Sequence, residues 1–226
     1  MRRVVITGLG ALTPIGNHVE AYWQGLVQGK SGAAPITRFD ASKRKTQFAC
    51  ELKQYQPEDY LERKELKKMD PCAQYALVAC EEAIKDAALA LEQEKAERIG
   101  VVWGTGIGWL ESFETNVTEF VQSDEPRRIS PFFIPKMIAN MPAGHISIKY
   151  GLRGPNHTTV SACASASNAL IDAAQLIQLG HADVMVSGGS EATITDVGIS
   201  GFSVIKALSE RNDAPQTASR PFDKDR

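Results

Sequence analysis

The run His157-Thr158-Thr159-Val160-Ser161-Ala162-Cys163-Ala164-Ser165-Ala166-Ser167-Asn168 limits what this chain can fold into more than any other stretch. Its β-branched start reads as a buried strand, and Ala166, Ala169, Leu170, Ala173, Ala174 and Ile177 then recur at helical spacing. Cys163 therefore falls at a strand-to-helix turn. Ala162, Ala164, Ser165 and Ala166 surround it with small side chains, so a tight elbow can form and the sulfur has room to meet a carbonyl carbon. That is the geometry of a nucleophile elbow, carrying a thiol in place of a hydroxyl. The N–H groups of the helix's first turn favour negative charge and would steady both a thiolate and an oxyanion beside it. A buried core cysteine, behaving as a small hydrophobe, is the alternative.

The rest of the chain supplies elements to place around that elbow. Val4-Val5-Ile6-Thr7 reads as a short buried strand, followed by a glycine-bearing stretch from Gly8 to Gly16. Thr13 and Pro14 occupy the third-glycine region, and no acidic ribose partner follows, so a dinucleotide fingerprint is not expected. Ala21, Trp23, Leu26 and Val27 predict a short helix closed by Gly29. Asp70 followed by Pro71 is a helix start, with Cys72, Tyr75, Ala76, Ala79, Cys80 and Ala83 as its apolar stripe. A strand at 98–103 leads into Gly104-Thr105-Gly106-Ile107-Gly108, a helix is expected over 137–150, and a strand over 183–189. Irregular cap segments are expected around 31–65 and 109–136. In the second, the adjacent Phe132 and Phe133 either pin the segment to the core or line a pocket. Strands alternating with helices imply α/β architecture, with a mainly parallel sheet covered on both faces.

Composition excludes several function classes. A net charge of -2 leaves no general basic surface for nucleic acid. The 4 cysteines form no CxxC pair, so no metal site is expected, and their scarcity fits a reducing compartment. The apolar residues after Met1-Arg2-Arg3 are too few for a signal peptide, and no apolar run reaches the roughly 20 residues of a membrane helix, so a cytoplasmic protein without membrane contact is expected.

Val160-Ser161-Ala162-Cys163-Ala164-Ser165, preceded by Gly151-Leu152-Arg153-Gly154-Pro155-Asn156, closely resembles the condensing enzymes of fatty-acid synthesis, the β-ketoacyl-ACP synthases of the thiolase-like fold. Other matching stretches are spread along the chain: Val5-Ile6-Thr7-Gly8-Leu9-Gly10, Ile129-Ser130-Pro131-Phe132-Phe133, Val186-Ser187-Gly188-Gly189-Ser190-Glu191-Ala192, and Arg220-Pro221-Phe222-Asp223. The resemblance implies one half of a five-layered αβαβα core. Residues 1–226 correspond to the N-terminal half, and a C-terminal half is absent from the sequence. In the family that second half supplies two histidines and a lysine that promote decarboxylation. None of His18, His145, His157 and His181 matches those positions, and each is expected to be packed or solvated.

The same resemblance assigns roles. Cys163 is implied to accept an acyl chain from acyl carrier protein as a thioester, which then condenses with malonyl carrier protein as carbon dioxide leaves. Ile107 and Phe133 are implied to line the acyl pocket. Arg63, Lys64, Lys67, Lys68, Arg127, Arg128 and Lys206 could form a local positive patch for an acidic carrier protein, with docking favoured for Lys64, Lys68, Arg127, Arg128 and Lys206. No cofactor is implied, since the substrates ride on the phosphopantetheine of acyl carrier protein, and the full enzyme is implied to be a homodimer. These residues alone are expected to be inactive in condensation. The alternatives are a non-catalytic thiolase-fold half that binds carrier protein, or a coenzyme A-dependent thiolase.

Overall fold

The computed structural model describes residues 2–124 and 129–224. In chain order the helices are α1 (Val19–Val27), α2 (Arg63–Leu66), α3 (Pro71–Asp86), α4 (Leu110–Gln122), α5 (Phe133–Met137), α6 (Met141–Tyr150), α7 (Ser165–Gln178) and α8 (Asp196–Val204). The strands are β1 (Ala34–Pro35), β2 (Phe48–Ala49), β3 (Ile99–Gly104), β4 (Asn156–Thr159) and β5 (Val184–Gly189). They fall into two compact units, one made of residues 1–10 and 56–192 and the other of 11–55 and 193–226.

The larger unit is built on a parallel sheet in the order β4-β3-β5. The central strand β3 is buried along its whole length, and its alternating side chains feed two cores. Ile99, Val101 and Trp103 pack with Ala76, Leu77 and Cys80 of α3 and with Ala143 and Ile146 of α6. Val102 points to the other face, against Ala169 and Ala173 of α7. A strand buried on both faces is what a near-continuous apolar run such as Ile99-Gly100-Val101-Val102-Trp103 predicts. The register pairs Gly104 of β3 with both Thr159 of β4 and Gly189 of β5. All three strands therefore end at one level, and the segments that follow them emerge at the same edge of the sheet.

Helix α3 starts as the sequence implies. The Asp70 carboxylate accepts the Cys72 N–H at 2.8 Å, with Pro71 in the first turn. It also accepts the Ser112 N–H of α4 at 3.2 Å, so one buried carboxylate joins two helices.

Several expectations are corrected. Val4 to Thr7 form no strand, and Val5 and Ile6 lie 59% and 81% exposed; β-branched propensity creates a strand only where a neighbouring strand accepts it. That segment is instead held by Arg2 on Asp183 and by the Leu9 N–H on Asp86. The stretch 109–136 is not irregular throughout, because α4 occupies 110–122 and α5 begins at Phe133. Thr, Ser and Asn weaken the helix signal of α4, but Leu110, Phe113, Val117 and Val121 give it an apolar stripe. The expected helix over 137–150 is α6, which starts later, at Met141, while Met137 ends α5. The expected cap at 31–65 is also divided between the two units at 55–56, and α2 begins at its end.

In the smaller unit, β1 and β2 pair antiparallel, Ala34 opposite Ala49 and Pro35 opposite Phe48. Arg44 holds Asp196 at the start of α8 through two hydrogen bonds of 2.5 and 2.6 Å. Thr13 and Gly16 exchange backbone hydrogen bonds, closing a tight turn at the glycine-bearing stretch. His18 caps α1 through Nδ1, accepting the Ala21 N–H. Among the described residues no helix is long and apolar enough to cross a membrane.

Candidate active site

Three segments leave the carboxyl edge of the parallel sheet together, the place where open α/β sheets bind ligands. After β4 comes the elbow with Cys163, after β3 the glycine-rich loop with Ile107, and after β5 Ser190 and Glu191.

The elbow has the predicted form. Ala162 to Ala164 make a single 3-10 turn between β4 and α7, and Cys163 is exposed on it. Ala162 adopts φ 54°, the left-handed region that L side chains disfavour, so the turn is strained immediately before the thiol. Ser165, which is buried, secures it: its hydroxyl donates to the Ala162 carbonyl at 2.7 Å and accepts the Ser161 N–H at 2.9 Å. Thr159 donates to the Ser165 carbonyl at 2.8 Å, and Asn168 donates to the Ser161 hydroxyl at 2.6 Å. The Cys163 N–H donates to no group among the described residues, which leaves it free to meet an oxyanion formed beside the sulfur. The preceding strand differs from its prediction. β4 is an edge strand with only partial burial, and Val160 is 60% exposed.

Gly104 and Gly106 bring the β3 loop onto this elbow. A Cβ at Gly104 would lie 2.3 Å from the Ser165 carbonyl carbon, and one at Gly106 would lie 3.2 Å from the Ala162 carbonyl oxygen. At Gly104 only the absence of a side chain allows backbone to meet backbone, and at Gly106 a side chain would be a tight fit. The Ile107 loop and the Cys163 elbow thus touch. Phe133, at the start of α5, stacks on Phe113 with ring centroids 6.4 Å apart, and Trp109 meets Phe113 edge-on at 5.7 Å. Phe133 therefore packs on α4 through Phe113.

Glu191 was not among the residues expected at the site. Its carboxylate accepts the Gly106 N–H at 2.8 Å and the Ile107 N–H at 3.2 Å, and also accepts the Gly108 N–H. The sequence carried Glu191 within the matching stretch Val186 to Ala192, but nothing in that stretch assigned it a role at the site.

The other cysteines and histidines sort by environment. Cys72 is buried, its sulfur 3.2 Å from the Ser190 hydroxyl, and burial pushes its thiol up to about 12. Burial does the same to Cys80, again to about 12. Burial lowers the His145 pKa, and His157 lies 3.6 Å from Asp172. Among the described residues no cluster of His, Cys, Asp and Glu could hold a metal ion.

Of the cations expected to dock a partner, Lys64 pairs with Glu62 at 2.9 Å and Lys68 with Glu65 at 2.8 Å. Lys206 belongs to the smaller unit, where it lines a groove with Arg220 and Lys224. Arg127 and Arg128 lie outside the described residues.

Comparison with known proteins identifies the chain's family and fold. Residues 1–225 match the family described as the N-terminal domain of β-ketoacyl synthase. Proteins named 3-oxoacyl-[acyl-carrier-protein] synthase 2 are 51% identical in Synechocystis sp. and 47% identical in Coxiella burnetii, over 225 residues. Each alignment covers 100% of this chain and 54% of the relative, so the chain spans about half the length of these curated relatives. A β-ketoacyl synthase from Burkholderia phymatum superposes with a TM-score of 0.85 at 29% identity, over 100% of this chain and 55% of its own. The ishigamide ketosynthase/chain length factor superposes with a TM-score of 0.84 at 28% identity, over 92% and 52%. The α/β arrangement of a parallel sheet flanked by helices is thus shared with solved ketosynthases. The chain belongs to the β-ketoacyl synthase family and corresponds to its N-terminal domain.

Proposed function

We propose that this chain carries the acyl-accepting half of a 3-oxoacyl-[acyl-carrier-protein] synthase of fatty-acid elongation. The observation that carries the reading is the exposed Cys163 on a strained elbow at the carboxyl edge of the sheet, its own N–H unengaged. The thiolate attacks the thioester carbonyl of an acyl chain on acyl carrier protein, and the N–H of Cys163 donates to the oxyanion of the tetrahedral intermediate. Collapse expels the carrier's pantetheine thiol and leaves the acyl group on Cys163. In the second step malonyl carrier protein loses carbon dioxide, and its carbanion attacks the acyl-enzyme and expels the Cys163 thiolate. Ile107 and Phe133 line the acyl chain's path in this reading, and Lys64, Lys68, Arg127, Arg128 and Lys206 receive the acidic carrier protein. The enzyme is a cytoplasmic homodimer and needs no cofactor of its own.

The test is the intact mass after incubation with acyl-pantetheine thioesters. The expected result is one acyl group per chain, lost in Cys163→Ala and retained in Cys50→Ala. Acylation that persists in Cys163→Ala would overturn the reading.

A further inference from the structure

We propose that Glu191 is a positioning residue for acyl-chain selection: its carboxylate holds the 105–108 loop, and with it Ile107, against the elbow of Cys163. The inference rests on the reading of Ile107 as an acyl-pocket residue, and adds to it the group that sets where Ile107 stands.

Three consecutive N–H groups, those of Gly106, Ile107 and Gly108, converge on the two oxygens of Glu191. The Thr105 hydroxyl adds a longer contact at 3.4 Å. A run of backbone N–H groups turned toward one point is an anion-binding nest, and here the protein fills it with its own carboxylate. An ionised carboxylate suits it because both oxygens only accept. A glutamine would match one oxygen and aim its amide N–H groups at backbone donors.

The clamp is anchored at its base. The Ser190 N–H continues the β-ladder onto the Gly104 carbonyl at 3.2 Å. The Ser190 hydroxyl accepts the Trp103 indole N–H at 2.9 Å and donates to the Cys72 carbonyl at 2.8 Å. Glu191 is thus fixed to β3 and α3 before it reaches the loop. On the loop's other side stands the elbow. A Cβ on Gly106 would sit 3.0 Å from Glu191 Oε2 and 3.2 Å from the Ala162 carbonyl, so Gly106 is held between clamp and elbow. Moving the carboxylate moves Ile107 relative to Cys163.

The test compares the intact polypeptide carrying this chain with its Glu191→Gln variant in two ways. Amide hydrogen exchange across 105–109 reads the clamp directly, and protection is expected to fall about tenfold, as loss of hydrogen bonds to a charged acceptor implies. The second readout is the rate at which Cys163 takes octanoyl relative to acetyl groups from pantetheine thioesters, each normalised to its alkylation by iodoacetamide. The octanoyl-to-acetyl ratio is expected to fall about four- to fifteenfold, the value of one to two methylene contacts. A purely structural role would slow both acyl groups alike and leave the ratio unmoved. Unchanged exchange overturns the clamp, and an unchanged ratio with faster exchange overturns its role in selection. If the parent protein takes no acyl group while Cys163 still alkylates, the proposed function fails, and the exchange measurement still decides the clamp.

Discussion

Cys72 and Cys163 place the same thiol in opposite settings within one unit. Cys72 lies in the buried stripe of α3, touching Ser190 and Thr105, and burial holds its thiol protonated up to about 12. Cys163 stands on a 3-10 turn beyond the sheet's edge, exposed and directly before the first turn of a 14-residue helix. The contrast shows that where the fold ends a strand decides whether a thiol is exposed or buried. α3 packs its cysteines inward at helical spacing, whereas β4 stops at Thr159 and hands the chain to a turn too short to bury anything.

The largest expected effect is on that contrast itself. At neutral pH under native conditions iodoacetamide is expected to label Cys163 far faster than Cys72 or Cys80, because Cys163 is exposed whereas burial shields the other two thiols and pushes them up to about 12. Peptide mapping after brief labelling measures it, and comparable labelling of the three breaks the comparison. Cys50 sharpens it. That residue is also exposed, so it should alkylate yet take no acyl group from a thioester, which separates exposure from placement.

Next in size is the contact that forms the elbow. Gly104→Ala would drive a Cβ into the Ser165 carbonyl carbon, backbone against backbone, where no flexible side chain can yield. A loss of about 3 kcal/mol in unfolding free energy is expected, with Cys163 acylation lost along with it. Ordinary stability in urea melts would show that the loop and elbow do not meet as described.

The buried counterpart has its own lever in Asp70, 3% exposed and shared by α3 and α4. Desolvation raises its pKa from 3.8 to about 6 despite the two N–H groups it accepts. The folded state therefore holds a proton that the unfolded state has released between about pH 4 and pH 6. Stability from this group falls as pH rises through that window, by about 2 to 3 kcal/mol. Asp70→Asn keeps a capping oxygen and cannot ionise, so the stability difference between parent and variant should change by that amount from pH 4 to pH 6.5. A flat difference would place the carboxylate in water.

What could be read from the sequence was local. The Asp70-Pro71 start of α3 and the turn at Cys163 depend on neighbours within a few residues, and both stand where expected. Residues 4–7 show the limit, since their β-branched character was real but strand pairing is a property of two segments. Glu191 shows it more sharply. Its partners lie more than eighty residues earlier, and only the register of β3 against β5 sets the carboxylate over their N–H groups. No spacing rule contains that register.

The smallest effect concerns the strain beside the thiol. Ala162 at φ 54° pays about 1 kcal/mol for its Cβ, and glycine would relieve it. Glycine also has more unfolded freedom to lose, about 0.5 to 1 kcal/mol, so Ala162→Gly should leave global stability within about 1 kcal/mol of the parent. The informative readout is therefore the rate. A left-handed alanine flanked by the Ser165 hydroxyl and the Gly106 backbone has few ways to move, and a glycine there has many. If the strain serves to hold Cys163 in position, the variant should unfold near the parent's midpoint yet acylate severalfold more slowly, because the attacking sulfur spends less time in the productive geometry. Equal acylation at equal stability would mean that Ser165 alone sets the elbow, and that Ala162 tolerates its conformation without any use being made of it.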